Sequence, residues 1–411
     1  MHYLTADYIF PISSPPIKNG IIALDENETI VEVFFPRSRI PANAKVESYK
    51  GIICPGFINT HCHLELSHMK GAIDENLGMA GFIKGILSKR NTFTNDQALA
   101  AIEKAEQEMI ANGIVAVGDI SNDDSTFAQK IKGNLKYHTF FEVFDLNPLR
   151  SNEVFNSALK LQENLNSSFV NRNSSIVPHA PYSVSPQLFK LIKEHAEKNN
   201  SIISYHNQES LAESELFISK SGSIFDLFSK MGINLDYINK TGENSLRSTL
   251  PYFSKSVKML WVHNTFASRE DILFTQRYFE GQGKQIVIRH SSFINSYWCF
   301  CPNANLYIEN KLPDYQSFVD ANATCTIGTD SLASNHSLSI LDELKVISKH
   351  APQIPLQTLL TWATLNGASF LGFENELGSI EKGKKPGLNL IEAVDVDKVQ
   401  LCADSKVKKL V

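Results

Sequence analysis

Between residues 55 and 370 the chain repeats one pattern eight times: a short apolar run rich in β-branched and aromatic residues, most often followed by a stretch with helical spacing. The runs cover 56–63, 113–121, 136–146, 175–182, 201–206, 257–263, 296–302 and 324–330, and helical spacing marks 95–112, 185–199, 337–350 and 355–370. Strand–helix alternation argues for a parallel sheet, because consecutive parallel strands need a crossover, usually a helix. Eight units in about 300 residues favour a closed (β/α)8 TIM-type barrel, with a doubly wound open sheet as the rival. The two ends read differently. Residues 6–11, 20–24, 30–35 and 52–54, then 388–391 and 406–411, are short strand-like runs separated by turns. Neither end could bury a core alone. The expected organisation is therefore a small β-sandwich domain built from the N- and C-terminal segments, 1–54 and 371–411, around a barrel at 55–370.

Composition narrows the function. Of 411 residues 43% are hydrophobic and 20% charged, enough for a large core, and the formal net charge is −5. That balance gives no reason to expect nucleic acid or an anionic membrane as partner and fits a small-molecule substrate. No run approaches the roughly 18 apolar residues of a membrane span, and the start of the chain has no basic head and apolar run of a secretory signal. The six cysteines are scattered, so reduced thiols and a cytoplasmic enzyme are expected. A homodimer is compatible with this reading. The long stretch 217–256 either caps a pocket or supports such a dimer.

Chemistry concentrates at the ends of the runs. The first closes with Pro55-Gly-Phe-Ile-Asn-Thr-His61-Cys-His63-Leu-Glu65. Side chains at i and i+2 of a strand point to one side, so His61 and His63 can share a divalent ion. Taken alone, two surface histidines would explain the motif as well. However, the fifth run ends Ser204-Tyr-His206-Asn-Gln-Glu209, the sixth ends Leu260-Trp-Val-His263, and the eighth ends Gly328-Thr-Asp330. In a barrel the C-terminal strand ends form the active site, so these residues converge on one rim. His179 and Tyr182, in the loop after the fourth run, are candidate substrate contacts, with a loop-capping histidine as the plain alternative. Asn305, in Cys301-Pro-Asn-Ala-Asn305, is a candidate pocket wall or an ordinary turn residue. Glu65 either faces the pocket or forms a structural ion pair. The remaining seven histidines are assigned to core or surface.

The arrangement His-x-His, later His, later His, final Asp resembles the amidohydrolase superfamily over nearly the whole chain. The resemblance implies metal ligands at His61, His63, His206 and Asp330, with His263 as the non-ligand histidine that orients and polarises the attacking water. Binuclear members bridge two metals through a lysine on strand four. The segment Ser175-Ile-Val-Pro-His-Ala-Pro-Tyr182 has none, so one metal is expected, zinc first, with iron and manganese suited to the same ligands. The spacing His206-x-x-Glu209 resembles the deaminase branch, in which the glutamate carries a proton from water to a ring nitrogen; a solvated carboxylate at a helix start is the plain alternative. A zinc ion lowers the pKa of its water from 15.7 to about 7, which supplies the nucleophile. His263 and Asp330 would then hold and polarise it.

Stretches flanking these positions are most similar to 6-amino-6-deoxyfutalosine deaminases of menaquinone biosynthesis. They are His179-Ala-Pro-Tyr-Ser-Val, Glu209-Ser-Leu-Ala-Glu-Ser-Glu-Leu, Val262-His-Asn-Thr-Phe-Ala-Ser and Thr329-Asp-Ser-Leu-Ala-Ser-Asn-His-Ser-Leu-Ser-Ile-Leu-Asp-Glu-Leu. The chain departs from that pattern at Asn207-Gln208 and at Asn303-Ala-Asn305. The resemblance implies hydrolytic release of ammonia from an aminated purine, either 6-amino-6-deoxyfutalosine or an adenosine-type nucleoside. The competing readings are an amidohydrolase acting on guanine, triazine or pterin-like rings by deamination or dechlorination, and a barrel that only stores metal. Glu209 and His263 argue against storage, since holding one metal needs neither. His63-Leu-Glu65 lacks the Pro-Cys-x-x-Cys partner of small cytidine-type deaminases, and Cys299-Phe-Cys301 lacks the spacing of a zinc knuckle.

Overall fold

In the computed structural model, which describes residues 1–35, 44–168, 173–280 and 295–411, the chain forms a closed barrel flanked by two small sheets. His290 lies outside the described residues. The barrel strands are Phe57–Cys62, Ile114–Ser121, Lys136–Val143, Ser174–Pro178, Ile203–Asn207, Met259–His263, Ser296–Phe300 and Thr324–Ile327, here strands one to eight. They pair in parallel as two runs of four, one to four and five to eight. Both seams between the runs are stitched. The amide of His206 donates to the His179 carbonyl at 3.0 Å, and that of Thr329 donates to the His61 carbonyl at 3.0 Å beside a parallel Cys62–Asp330 bridge. With no free edge, the open-sheet alternative is excluded.

Strands covered on both faces read as continuous apolar runs rather than alternating ones. Met259-Leu-Trp-Val-His263, for example, is buried at every position. Side chains from all eight strands join one continuous core that includes Trp261, Trp298 and Phe300. The fully buried Lys130–Asp119 pair, 2.6 Å apart, stands out in this apolar setting. The Lys130 ammonium also donates to Ser121 Oγ (3.0 Å) and Thr139 Oγ1 (3.1 Å). Asp119 Oδ1 accepts the amide of Leu64 at 2.9 Å, directly after the His61/His63 pair. Lys130→Met should lower stability by about 3–5 kcal/mol, because it strands a buried carboxylate. Urea unfolding measures this, and a loss under about 1 kcal/mol would show that the pair is not the anchor of this strand end.

The chain ends fold together. One sheet runs Ile30–Phe34, Ile21–Leu24, His2–Thr5, Val46–Ser48; the other runs Gln400–Lys409, Leu388–Asp395, Ile52–Pro55, Tyr8–Ile9, Ile17–Lys18. Leu4, Ile22, Leu24 and Ile30 of the first meet Ile9, Ile53, Leu388 and Leu390 of the second in one apolar layer. Three of these strands, His2–Thr5, Ile17–Lys18 and Val46–Ser48, fall outside the expected runs. The last strand begins at Gln400 rather than 406, because it is a hairpin partner paired as far back as Asp395–Gln400. The expected helix at 355–370 is two helices, Leu356–Ala363 and Leu365–Leu371, broken at Thr364 (φ −134°, ψ −87°). The break seats Gly367 against strand one, where a Cβ would lie 2.8 Å from Ile58 Cγ2.

Candidate metal and catalytic centre

The C-terminal rim of the barrel gathers five imidazoles and three carboxylates, all but His179 buried. His61 and His63 leave strand one with their Nε2 atoms 3.2 Å apart. Asp330 Oδ1 approaches both, at 3.6 Å from His61 Nε2 and 3.4 Å from His63 Nε2. That closeness needs Gly328, where a Cβ would stand 2.8 Å from both Cβ and the carbonyl oxygen of His61. Asp330 sits in the left-handed region (φ 56°), and Ser334 Oγ donates to its Oδ2. Asn59 locks the preceding residue by a reciprocal pair, its Nδ2 to Thr329 Oγ1 at 2.8 Å and the Thr329 amide to its Oδ1 at 3.1 Å. Burial alone would raise the Asp330 carboxyl, but the hydrogen bond and charge of His61 with those of His63 and His263 hold it far below the usual carboxylate range.

His206 reaches the same point from strand five. Its Nδ1 lies 2.9 Å from the His179 carbonyl oxygen, which can only accept, so Nδ1 carries the proton and Nε2 keeps a lone pair. Ligating atoms of His61, His206, His263 and Asp330 lie within 4.8 Å of one another. Burial holds His63 and His263 down to about 4 and lowers His206 well below the usual histidine range, so these rings are neutral near pH 7. The Nε2 atoms of His61 and His63 face each other 3.2 Å apart beside the Asp330 carboxylate, so that lone pairs on both would point at one shared cation. The donor set therefore fits one divalent ion. A second grouping, His63, Glu142 and His206, is equally compact. There Glu142 Oε1 faces His206 at the protonated Nδ1 (3.4 Å), so Glu142 orients that ring instead of completing another metal site.

His263 has a strained backbone (φ 73°), and Asn264 at φ 57° follows it. The Asn264 amide group ties the turn down by donating to Trp261 O (2.8 Å) and Cys299 O (3.0 Å). His263 Nδ1 pairs with Asn305 Oδ1 at 2.9 Å, which leaves Nε2 as the free lone pair, 3.5 Å from Glu209 Oε1 and without a hydrogen-bond partner. Burial, then the charges of Asp330 and Glu213, raises Glu209 well above the usual carboxylate range. A carboxyl so displaced takes up a proton more readily than an ordinary carboxylate, as a proton carrier requires.

The rim opens into a cavity of about 220 Å³, against the roughly 10–15 Å³ one water needs. Room for a multi-ring substrate follows. His63, His206, Glu209, His263 and Asp330 form its floor, and His179 and Tyr182 stand on its wall. His179 Nδ1 is bonded to Ser183 Oγ at 2.7 Å, and burial pushes its ring down to about 4. Two other sequence candidates lie elsewhere. Asn305 stands behind His263 and does not line the cavity. Glu65 is buried, its Oε2 accepting the Asn122 amide at 2.7 Å, because strand one ends at Cys62 and the 3-10 turn Leu64–Met69 breaks the two-residue alternation. Burial pushes Glu65 up to about 8.

Sequence reasoning missed the helix Gly78–Lys89, which supplies Met79, Phe82, Ile83 and Ile86 to an apolar wall. It also missed Glu142, for which the lone acid in Phe140-Phe-Glu142-Val was the available signal. From the 217–256 stretch, Phe228 closes one side of the cavity. All six cysteines are free thiols, and among the described residues no helix is long and apolar enough to cross a membrane.

Comparison with known proteins agrees with this geometry. The amidohydrolase family profile matches residues 52–409. The chain is 27% identical over 399 residues to the aminodeoxyfutalosine deaminase of Nitratiruptor sp., covering 95% of this chain and 89% of that protein. Its fold is similar to the Helicobacter pylori aminofutalosine deaminase in complex with methylthio-coformycin, with TM-score 0.79 and 23% identity over 95% of this chain and 92% of that one. It is also similar to a Xanthomonas campestris adenosine deaminase with bound zinc, with TM-score 0.69 and 19% identity over 96% and 85% of the two chains. A metal-competent rim of this composition on a closed barrel flanked by the terminal sheets, together with a profile that spans nearly all of it, makes the chain a member of the amidohydrolase family.

Proposed function

We propose that this protein is a hydrolytic deaminase that releases ammonia from an aminated purine, 6-amino-6-deoxyfutalosine or an adenosine-type nucleoside. The observation that carries the reading is Glu209 Oε1 standing 3.5 Å from His263 Nε2 over the Asp330 and histidine floor of the cavity. In this reading His61, His206 and Asp330, whose ligating atoms cluster, together with His63, 3.4 Å from Asp330, would hold one divalent ion, zinc by analogy with the Xanthomonas relative. Such an ion acts as a Lewis acid and brings the pKa of water from 15.7 towards about 7.

The chain's own groups do the rest. His263, fixed by Asn305, and Asp330 orient water towards the ring carbon that bears the amino group. Glu209 takes a proton from that water and gives it to the adjacent ring nitrogen as the carbon–oxygen bond forms. The second water proton passes to the amino group, the carbon–nitrogen bond breaks, and ammonia leaves a ring oxo product. His179 and Tyr182 act as substrate contacts on the wall, and Met79 and Phe228, clustered with Tyr182, add apolar surface for the flat ring. The chain divides accordingly into a catalytic barrel, 55–370, and a composite β-domain, 1–54 with 371–411, a division supported by the pairing of Leu388–Asp395 with Ile52–Pro55. Six free thiols support a cytoplasmic location.

Release of ammonia from 6-amino-6-deoxyfutalosine, adenosine, 5′-methylthioadenosine and guanine, and of chloride from a chlorotriazine, tests the reading. Turnover of the adenine-ring compounds at kcat/KM on the order of 10⁴ M⁻¹s⁻¹ or better is expected. Preference for guanine or the triazine would transfer the assignment to the alternative, and no release from any ring would overturn it.

A further inference from the structure

The side chain of Glu209 touches few polar groups, so what fixes it must act through its backbone. Three elements hold the turn that carries it. The helix Leu211–Ser219 follows immediately, capped by Ser210, whose Oγ accepts the Glu213 amide at 3.3 Å. A glutamate three residues past a cap ordinarily bonds the amide of the cap itself. Glu213 instead bypasses Ser210 and takes the two amides before it, Gln208 N at 2.8 Å on Oε1 and Glu209 N at 3.3 Å on Oε2. The left-handed backbone of Gln208 (φ 45°) turns both amides to the same side. Glu213 Oε1 also accepts Ser245 Oγ at 2.6 Å, from the helix Ser245–Thr249. On the other flank the Gln208 carbonyl accepts the Phe266 amide at 3.0 Å, and Gln208 Nε2 donates to Asp271 Oδ2 at 3.3 Å.

From this geometry we infer that Glu213 is a positioning residue for the reaction: it clamps the Gln208–Glu209 turn to the Ser245 helix and so aims the Glu209 carboxyl at the floor of the cavity. A plain helix cap would need neither the bond to Ser245 nor the two amides upstream of the cap. Glu213 is fully buried and does not line the cavity, so it acts through Glu209 and not on substrate. The inference rests on Glu209 carrying the proton.

Glu213→Gln separates the roles. The amide keeps an acceptor for Gln208 and Ser245 but turns a donor towards the Glu209 amide, so the contact to Glu209 is lost first. We expect kcat to fall by about 10–100-fold with KM within about twofold and metal content unchanged, as a misplaced proton carrier requires. Ser245→Ala, which leaves both amide contacts, should lower kcat by about 2–5-fold. A Glu213→Gln protein with parental kcat, in a background where Glu209→Gln is inactive, would overturn the clamp and leave the proton-carrier reading standing. A fully active Glu209→Gln protein would remove both. Loss of metal with Glu213→Gln would also overturn the clamp, since the effect would then run through His206. If Glu213→Gln does not fold, an unchanged kcat in Ser245→Ala decides against the inference.

Discussion

Glu209→Gln is expected to retain metal at the parental level and to lose about 10²–10⁴-fold in kcat. The substitution keeps shape and volume at a 5% exposed position, so packing is undisturbed. What it removes is a carboxyl whose proton affinity burial, Asp330 and Glu213 have raised. An amide can neither take a proton from water nor return one to a ring nitrogen, so the loss should fall on kcat and leave KM nearly alone. Inductively coupled plasma analysis for metal and a steady-state ammonia assay separate the two quantities. Full activity in the variant would end the assignment. Loss of the ion would mean that Glu209 holds metal, which its place outside both compact groups of metal-competent side chains gives no reason to expect.

The barrel was legible because strands buried on two faces carry an unbroken apolar signature, and because their ends carry the chemistry. His61, His63, His206, His263 and Asp330 could be read as one rim before any contact was known, since a barrel delivers every strand end to the same face. The limits of that reasoning are equally physical. Period-two alternation holds only while the strand lasts, and Glu65 falls beyond Cys62, inside a 3-10 turn that points it at the Asn122 amide. Asn305 belongs to a helix that starts at Pro302 and swings the side chain behind His263, a tertiary contact with no local signature. Glu142 is passed over for the opposite reason: its only signal, a single acid inside Phe-Phe-Glu-Val, is outweighed by its neighbours in an apolar pattern. The long similarity after Asp330 acquires a cause only in three dimensions. Asn335 Nδ2 reaches both Thr329 O and Glu343 Oε1 at 2.8 Å, and Glu343 Oε2 accepts the Asn303 amide at 2.8 Å, so that stretch braces the loops of strands seven and eight together.

Asp330→Asn should be the more damaging change, because it acts on the cation and on the nucleophile at once. The carboxylate is the only anionic group within 4 Å of the His61 and His63 Nε2 atoms among the described residues. It stays ionised because those imidazoles, with His263, outweigh the desolvation that opposes it. An asparagine side chain preserves shape and can still meet Ser334, but it presents no charge to a cation, and an NH2 group turned towards the histidines would repel one. Metal content should fall to a small fraction of one equivalent, and kcat/KM should drop by about 10³-fold or more. Thermal unfolding supplies an independent readout. A ligand that binds only the folded state raises the melting temperature, so the parent should gain stability on adding zinc to the metal-free protein, and Asp330→Asn should gain little or none. A variant that keeps a full equivalent of metal and the parental zinc-induced rise would place the cation elsewhere, and the His61, His63, His206 and Asp330 cluster would lose its role.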